Sequence, residues 1–148
     1  MGWWSATILG GDEPLDDLGN IADALGVKFD YDDEYGPDFH GYHFTRKVVE
    51  AGSPKLVALL KRRMDDSVFM QVWGAVCLWT GAKMTAKERD AVIAAAKADE
   101  WMREEGTGSE RGGFIDEFIA AVRENWKGGK TTTLKDQGLF DRIAEVLG

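Results

Sequence analysis

The stretch SVFMQVWGAVCLWT, residues 67–80, constrains this chain more than any other. It carries no charge, and a helix drawn through it is apolar on almost every side. Such a helix has no face to give to water, so it belongs at the centre of a fold with other elements around it. Asp66 or Ser67 can start it, and Gly81 follows it. Phe69, Val72, Trp73, Val76 and Thr80 line one of its sides.

The rest of the chain reads as the helical shell that this core needs. Leu15, Leu18, Ala22 and Leu25 recur at helical spacing after Asp12 and Pro14, and Gly26 stops the run. Thr45 can cap a short helix ending at Gly52. Ser53-Pro54 then reads as the cap and first turn of another, with Leu56, Val57, Leu60 and Met64 on one face. Thr85 and Glu88 form a capping-box pair at the head of an alanine-rich helix expected to reach about Glu105. GTGSERGG, residues 106–113, reads as a flexible connection. Phe114, Ile115, Phe118, Ile119, Val122 and Trp126 mark the next helix, KGGKTTT a loop, and Leu139, Ile143, Val146 and Leu147 a last helix. SATIL, residues 5–9, and VKFDYDD, residues 27–33, have the composition of two short strands that could pair. The expectation is a mainly α protein: one compact domain spanning residues 1–148, of six to seven helices, with room for a short N-terminal β pair.

Charge is distributed unevenly. Residues 12–38 hold ten acids against Lys28 alone, a net −9, while the rest of the chain is net +1. Residues 46–63 carry six bases against Glu50, a local +5. Some of the early acids suit a helix N-terminus, where the dipole favours them. The others either form an open acidic face or are cancelled by the basic stretch folding back onto them. On the first alternative, Asp30, Asp32, Asp33, Glu34 and Asp38 are the candidate partner-binding residues.

Familiar chemistries fit poorly. GGKTTT resembles the end of a phosphate-binding loop, but Glu124 stands where the first glycine belongs and a helix precedes it. DYDDEYGPDFHG has calcium-loop spacing at Asp30, Asp32 and Glu34, yet Tyr35 and Gly41 replace the required Gly and Glu. His40 and His43, with Asp38 nearby, are weak metal candidates, since Gly41 disfavours the helix that would align them. Cys77 lies in the most apolar helix, where burial would leave its thiol inert. No cofactor and no catalytic residue is expected. Of the tryptophans, Trp73 and Trp126 sit on apolar helix faces, and one of Trp3 and Trp4 is free to face outward.

One cysteine rules out an internal disulfide framework and fits a reducing, cytoplasmic setting. No run reaches membrane-spanning length. WWSATIL, soon broken by Gly10-Gly11 and acids, does not read as a signal peptide, and Ala6 stands where myristoylation needs Ser or Thr.

Met1, Gly2 and Trp4, then Asp12, then Leu15, Asp16, Leu18 and Gly19, resemble the start of a family of small bacterial and phage proteins known as a domain of unknown function. The likeness covers about the first 21–25 residues and departs at Ser5 and Leu9, where the family tends to have Gly and Phe. It implies a bacterial or phage setting, and that Trp4 and the turn before Asp12 belong together structurally. The function expected is non-enzymatic: an acidic interaction or inhibitor protein that binds a basic protein partner through residues 12–38. A toxin-neutralising immunity protein and a metal-assisted hydrolase using His40 and His43 are the alternatives. Direct nucleic-acid binding is disfavoured by the net charge of −8.

Overall fold

The structure is a computed structural model that describes residues 12–33, 41–99 and 107–129. Six helices run through these residues: α1 Asp12–Leu25, α2 Arg46–Ala51, α3 Pro54–Arg63, α4 Ser67–Thr80, α5 Ala86–Lys97 and α6 Thr107–Asn125. The protein is mainly helical, with one continuous core. Helix α4 is its axis and packs against α1, α2, α5 and α6, while α1 also meets α3 and α5 also meets α6. Every residue of α4 from Phe69 to Leu78 is buried, and Trp79 is half-buried. No helix among the described residues is long and apolar enough to cross a membrane.

Local chemistry accounts for where most helices begin. The Asp66 side chain accepts from the Phe69 amide, Ser53 from Leu56 and Thr45 from Val48, so each cap satisfies a donor that the helix leaves open. At α5 both halves of the capping box are present between Thr85 and Glu88. Glu88 Oε1 also accepts from the Trp73 indole at 3.1 Å, which ties the start of α5 to the middle of α4. Beyond α6, the Met84 amide donates to Trp126 C=O and the Gly129 amide to Gly81 C=O, both at 2.9 Å. These bonds fasten the end of α6 to the α4–α5 connection.

Four expectations need correction. The segment 27–33 is not a strand: it makes one antiparallel bridge, Phe29 to Tyr42, and then winds into a single 3-10 turn over Tyr31–Asp33. Its expected partner, residues 5–9, lies outside the described residues, as do Trp3, Trp4, Trp101 and the last predicted helix. Helix α5 stops at Lys97 rather than near Glu105. The chain bends there to bury Asp99, whose carboxylate accepts from the Gln71 side chain of α4 at 2.8 Å. That bond satisfies two polar groups inside the core, which a straight continuation of the helix would forgo. Residues 107–113 belong to α6 and are not a connection. Each glycine there costs about 1 kcal/mol of helix propensity. Burial of Phe114, Ile115 and Phe118 just downstream outweighs that cost. Finally, α3 buries Leu56 and Leu59, whereas Val57 is 63% exposed.

Gly74 sets how closely the helices approach. A methyl group placed there would lie 2.6 Å from Val92 Cγ1 of α5 and 2.8 Å from Phe118 Cζ of α6. The missing side chain lets both helices close on α4 at one point. Gly74→Ala forces them apart and should lower unfolding free energy by about 1–2 kcal/mol, despite alanine's better helix propensity. Urea unfolding should show a lower midpoint with an unchanged m-value; an unchanged midpoint would contradict the close approach.

Candidate functional site

The acidic segment divides into two structural parts. On α1, Glu13, Asp16, Asn20 and Asp23 follow one another at spacings of three, four and three, and so form one stripe. All four are exposed. The opposite side of the helix carries the fully buried Leu18, Ile21 and Ala22. Burial of that apolar side is therefore what turns the acids outward.

The second part is the turn after α1. The Asp30 amide donates to Gly41 C=O at 2.8 Å beside the Phe29–Tyr42 bridge. Asp30 Oδ1 accepts from the Asp32 amide at 3.0 Å, and Oδ2 lies 3.0 Å from His43 Nε2. Asp30 is thus a turn-forming residue whose carboxylate, at the surface, is engaged within the turn. Asp32 is exposed, and Tyr31 beside it is 83% exposed, with its ring edge-on to Phe29 at 4.6 Å. Phe29 and Tyr42 also meet edge-on, at 5.3 Å, and the Tyr42 ring lies 5.9 Å from that of the buried Phe44. This aromatic row anchors the turn to the core.

Tyr42 also links the two parts. A methyl group placed on Gly19 would lie 3.3 Å from the Tyr42 hydroxyl oxygen, so the phenol rests against α1 where that helix has no side chain. Asp16 and Asp23 stand three residues before and four residues after Gly19, which makes them its neighbours on the helix surface. The hydroxyl therefore meets α1 at the edge of the acid stripe. Burial raises the Tyr42 phenol pKa above its ordinary value, and Tyr31 adds to the effect.

Neutralisation by the basic stretch is limited. Arg63 is the one base of residues 46–63 that reaches an α1 acid among the described residues, with Nη2 2.9 Å from Asp17 Oδ1 and 2.7 Å from Asp66 Oδ2. Arg46 is taken by Glu50 at 3.0 Å, and the same Glu50 oxygen accepts the Lys83 amide. Among the described residues no ion pair involves Glu13, Asp16, Asp23 or Asp32.

Of the residues that composition singled out, the structure thus places Asp30 inside the turn and Asp32 outside it. The Asp33 side chain, Glu34, Asp38 and His40 lie outside the described residues. His43 is beside Asp30, and among the described residues no group of three or more His, Cys, Asp or Glu could hold a metal ion. Cys77 is buried in α4, and that burial pushes its thiol pKa up. The reading by composition missed Glu13, Asp16 and Asp23 as one stripe. Their three-four-three spacing within α1 was the available signal.

Asp17 differs from its neighbours. It is 3% exposed, and its Oδ2 has no hydrogen-bond partner. Burial pushes its pKa from 3.8 to about 6 against the pull of Arg63, with Asp66 and Glu13 adding repulsion. The folded state therefore holds the proton more tightly than the unfolded chain does. Asp17's contribution to stability is greatest below its ordinary value and is lost as pH rises through about 6. Unfolding free energies of the wild type and Asp17→Asn, compared from about pH 4.5 to 7, should show the wild-type advantage shrinking by on the order of 2 kcal/mol. A pH-independent difference would contradict the burial of a charged carboxylate.

No protein-family model, no curated protein and no solved structure matches this chain.

Proposed function

We propose that this is a non-enzymatic interaction protein that binds a basic protein partner through the acid stripe of α1 and the adjoining turn at Tyr31–Asp32. One observation carries the reading. Four exposed carboxylates, Glu13, Asp16, Asp23 and Asp32, have no Lys or Arg partner among the described residues, while Arg63 is spent on Asp17 and Asp66. Unneutralised acids on one helix face and the turn beside it attract a positively charged partner, speed encounter and reject acidic competitors. Tyr31 supplies an exposed aromatic ring at the same corner, the kind of group that anchors protein interfaces. Asp33, Glu34 and Asp38 extend the same acidic run in sequence.

The N-terminal resemblance to small bacterial and phage proteins supports a bacterial or phage setting, and the lone Cys77 a reducing cytoplasm. In that setting the surface suits an inhibitor of a nucleic-acid-handling or host-defence protein, its carboxylates standing in for phosphates. An immunity protein that neutralises a basic toxin uses the same chemistry. No observation favours a hydrolase over these.

The test is capture of partners from bacterial lysate on the immobilised full chain at about 50 mM and about 500 mM salt, where exposed charges are screened to very different extents. The retained proteins should be basic and should elute at high salt. Asp16→Asn/Asp23→Asn/Asp32→Asn should retain about tenfold less, since each exposed charge contributes up to about 1 kcal/mol. Equal capture by the triple variant would overturn the reading.

A further inference from the structure

A seam on other elements, along α5 and α6, holds two cations, Lys97 and Arg123, that enter no ion pair among the described residues. Arg89, Ile93 and Lys97 follow at spacings of four on α5, and Ile115, Ile119 and Arg123 do the same on α6. Facing rows of this kind leave a groove between the helices. Two depressions occupy it, of about 450 Å³ and about 490 Å³, and both are lined by Lys97 and Arg123. Trp126 closes one end and Ile115 lines the other. From Ile115 to Trp126 along α6 is roughly 16 Å at the helical rise, or three turns.

The groove's charge opposes that of the chain. Arg89 is engaged, 2.8 Å from Asp90 and stacked 4.3 Å over the Trp126 ring. Lys97 and Arg123 are exposed and enter no ion pair among the described residues. Between them Ile93 and Ile119 offer an aliphatic floor, with Asp90 and Asp116 at the margins. Those two carboxylates disfavour a run of phosphates. A helix that lays apolar side chains on the floor and one or two acids against Lys97 and Arg123 would cover the aliphatic floor and pair both cations.

We propose that the α5–α6 groove is a second docking surface, opposite in sign to the first, which receives an acidic amphipathic helix of a partner protein. It stands on the groove's own residues and does not depend on the reading of α1.

The probe is a fluorescein-labelled alanine-based helical peptide of about three turns, with Leu at positions i, i+4 and i+7 and Glu flanking them; a control peptide has Lys in place of Glu. Anisotropy titrations against the full chain should show saturable binding of the Glu peptide and at least tenfold weaker binding of the Lys peptide. Lys97→Glu/Arg123→Glu should weaken the Glu peptide at least tenfold while leaving circular dichroism and Tm unchanged. Ala120→Arg, a bulky change at another exposed groove residue, should also block it. Asp16→Asn/Asp23→Asn/Asp32→Asn should bind as the wild type does, which separates this surface from the α1 stripe. Absence of saturable binding, equal affinity for both peptides, or full affinity in both groove variants would overturn the proposal. So would a self-associated wild type that Lys97→Glu/Arg123→Glu converts to monomer, because the occupant would then be a second copy.

Discussion

Near-complete burial of α4 is the constraint from which the rest follows. A charge-free helix with no face to offer to water can persist only if other helices cover it. Helices α1, α2, α5 and α6 do so, each contributing an apolar side. Covering one helix with several amphipathic ones also decides what faces outward. The acid stripe of α1 points to solvent because Leu18 and Ile21 point to α4's side of the molecule. Lys97 and Arg123 flank an outer groove for the same reason. Core packing and surface electrostatics are thus two sides of one arrangement, and a residue's functional exposure is settled by its helical phase relative to α4.

Polar groups inside this arrangement mark where packing alone was insufficient. Gln71 and Asp99 satisfy one another where α5 ends, and Glu88 holds Trp73. Asp66 serves three purposes: it caps α4, pairs with Arg63, and shares that guanidinium with Asp17. Burial alone would raise the Asp66 pKa, but the Phe69 amide and Arg63 outweigh it and hold the carboxyl below its ordinary value. The outcome for Asp17 is the reverse, with burial dominant and one oxygen unsatisfied. One cation cannot fully compensate two acids, Asp17 buried and Asp66 partly so. The same arithmetic keeps Arg63 on Asp17 and Asp66, so among the described residues it forms no ion pair with the exposed acids of α1.

How much of this could be read from sequence depended on the range of the interaction involved. Caps at Thr45, Ser53 and Thr85 act over three residues and were legible, while at α4 the sequence left Asp66 and Ser67 open and the structure selects Asp66. The all-round apolarity of 67–80 was equally plain. What escaped was set by distant partners. The end of α5 depends on Gln71, 28 residues before Asp99. The early start of α6 depends on core contacts that override Gly108, Gly112 and Gly113. The exposure of Val57 follows from α3 burying Leu56 and Leu59 instead. At the candidate site, composition showed where the acids lie in the sequence but could not rank them by exposure. Asp30 and Asp32 look alike by composition, yet the Asp30 carboxylate is engaged by His43, 13 residues on, and by the Asp32 amide, at the protein surface. Asp17, one position from Asp16, is taken by Arg63, 46 residues away. Only folding separates the acids that pair within the protein from those that stay exposed.

The central claim is that negative potential remains concentrated on α1 and its following turn after the molecule has paired what it can. Paramagnetic relaxation by cationic and anionic nitroxide probes measures that potential directly at each backbone amide of the free protein. The account predicts the strongest enrichment of the cationic probe at Asp16, Asn20, Asp23 and Asp32, diminishing as salt shortens the screening length, and the opposite preference at Lys97 and Arg123. Equal probe ratios over α1, α3 and α5 would mean that the charge is internally balanced, and would contradict it.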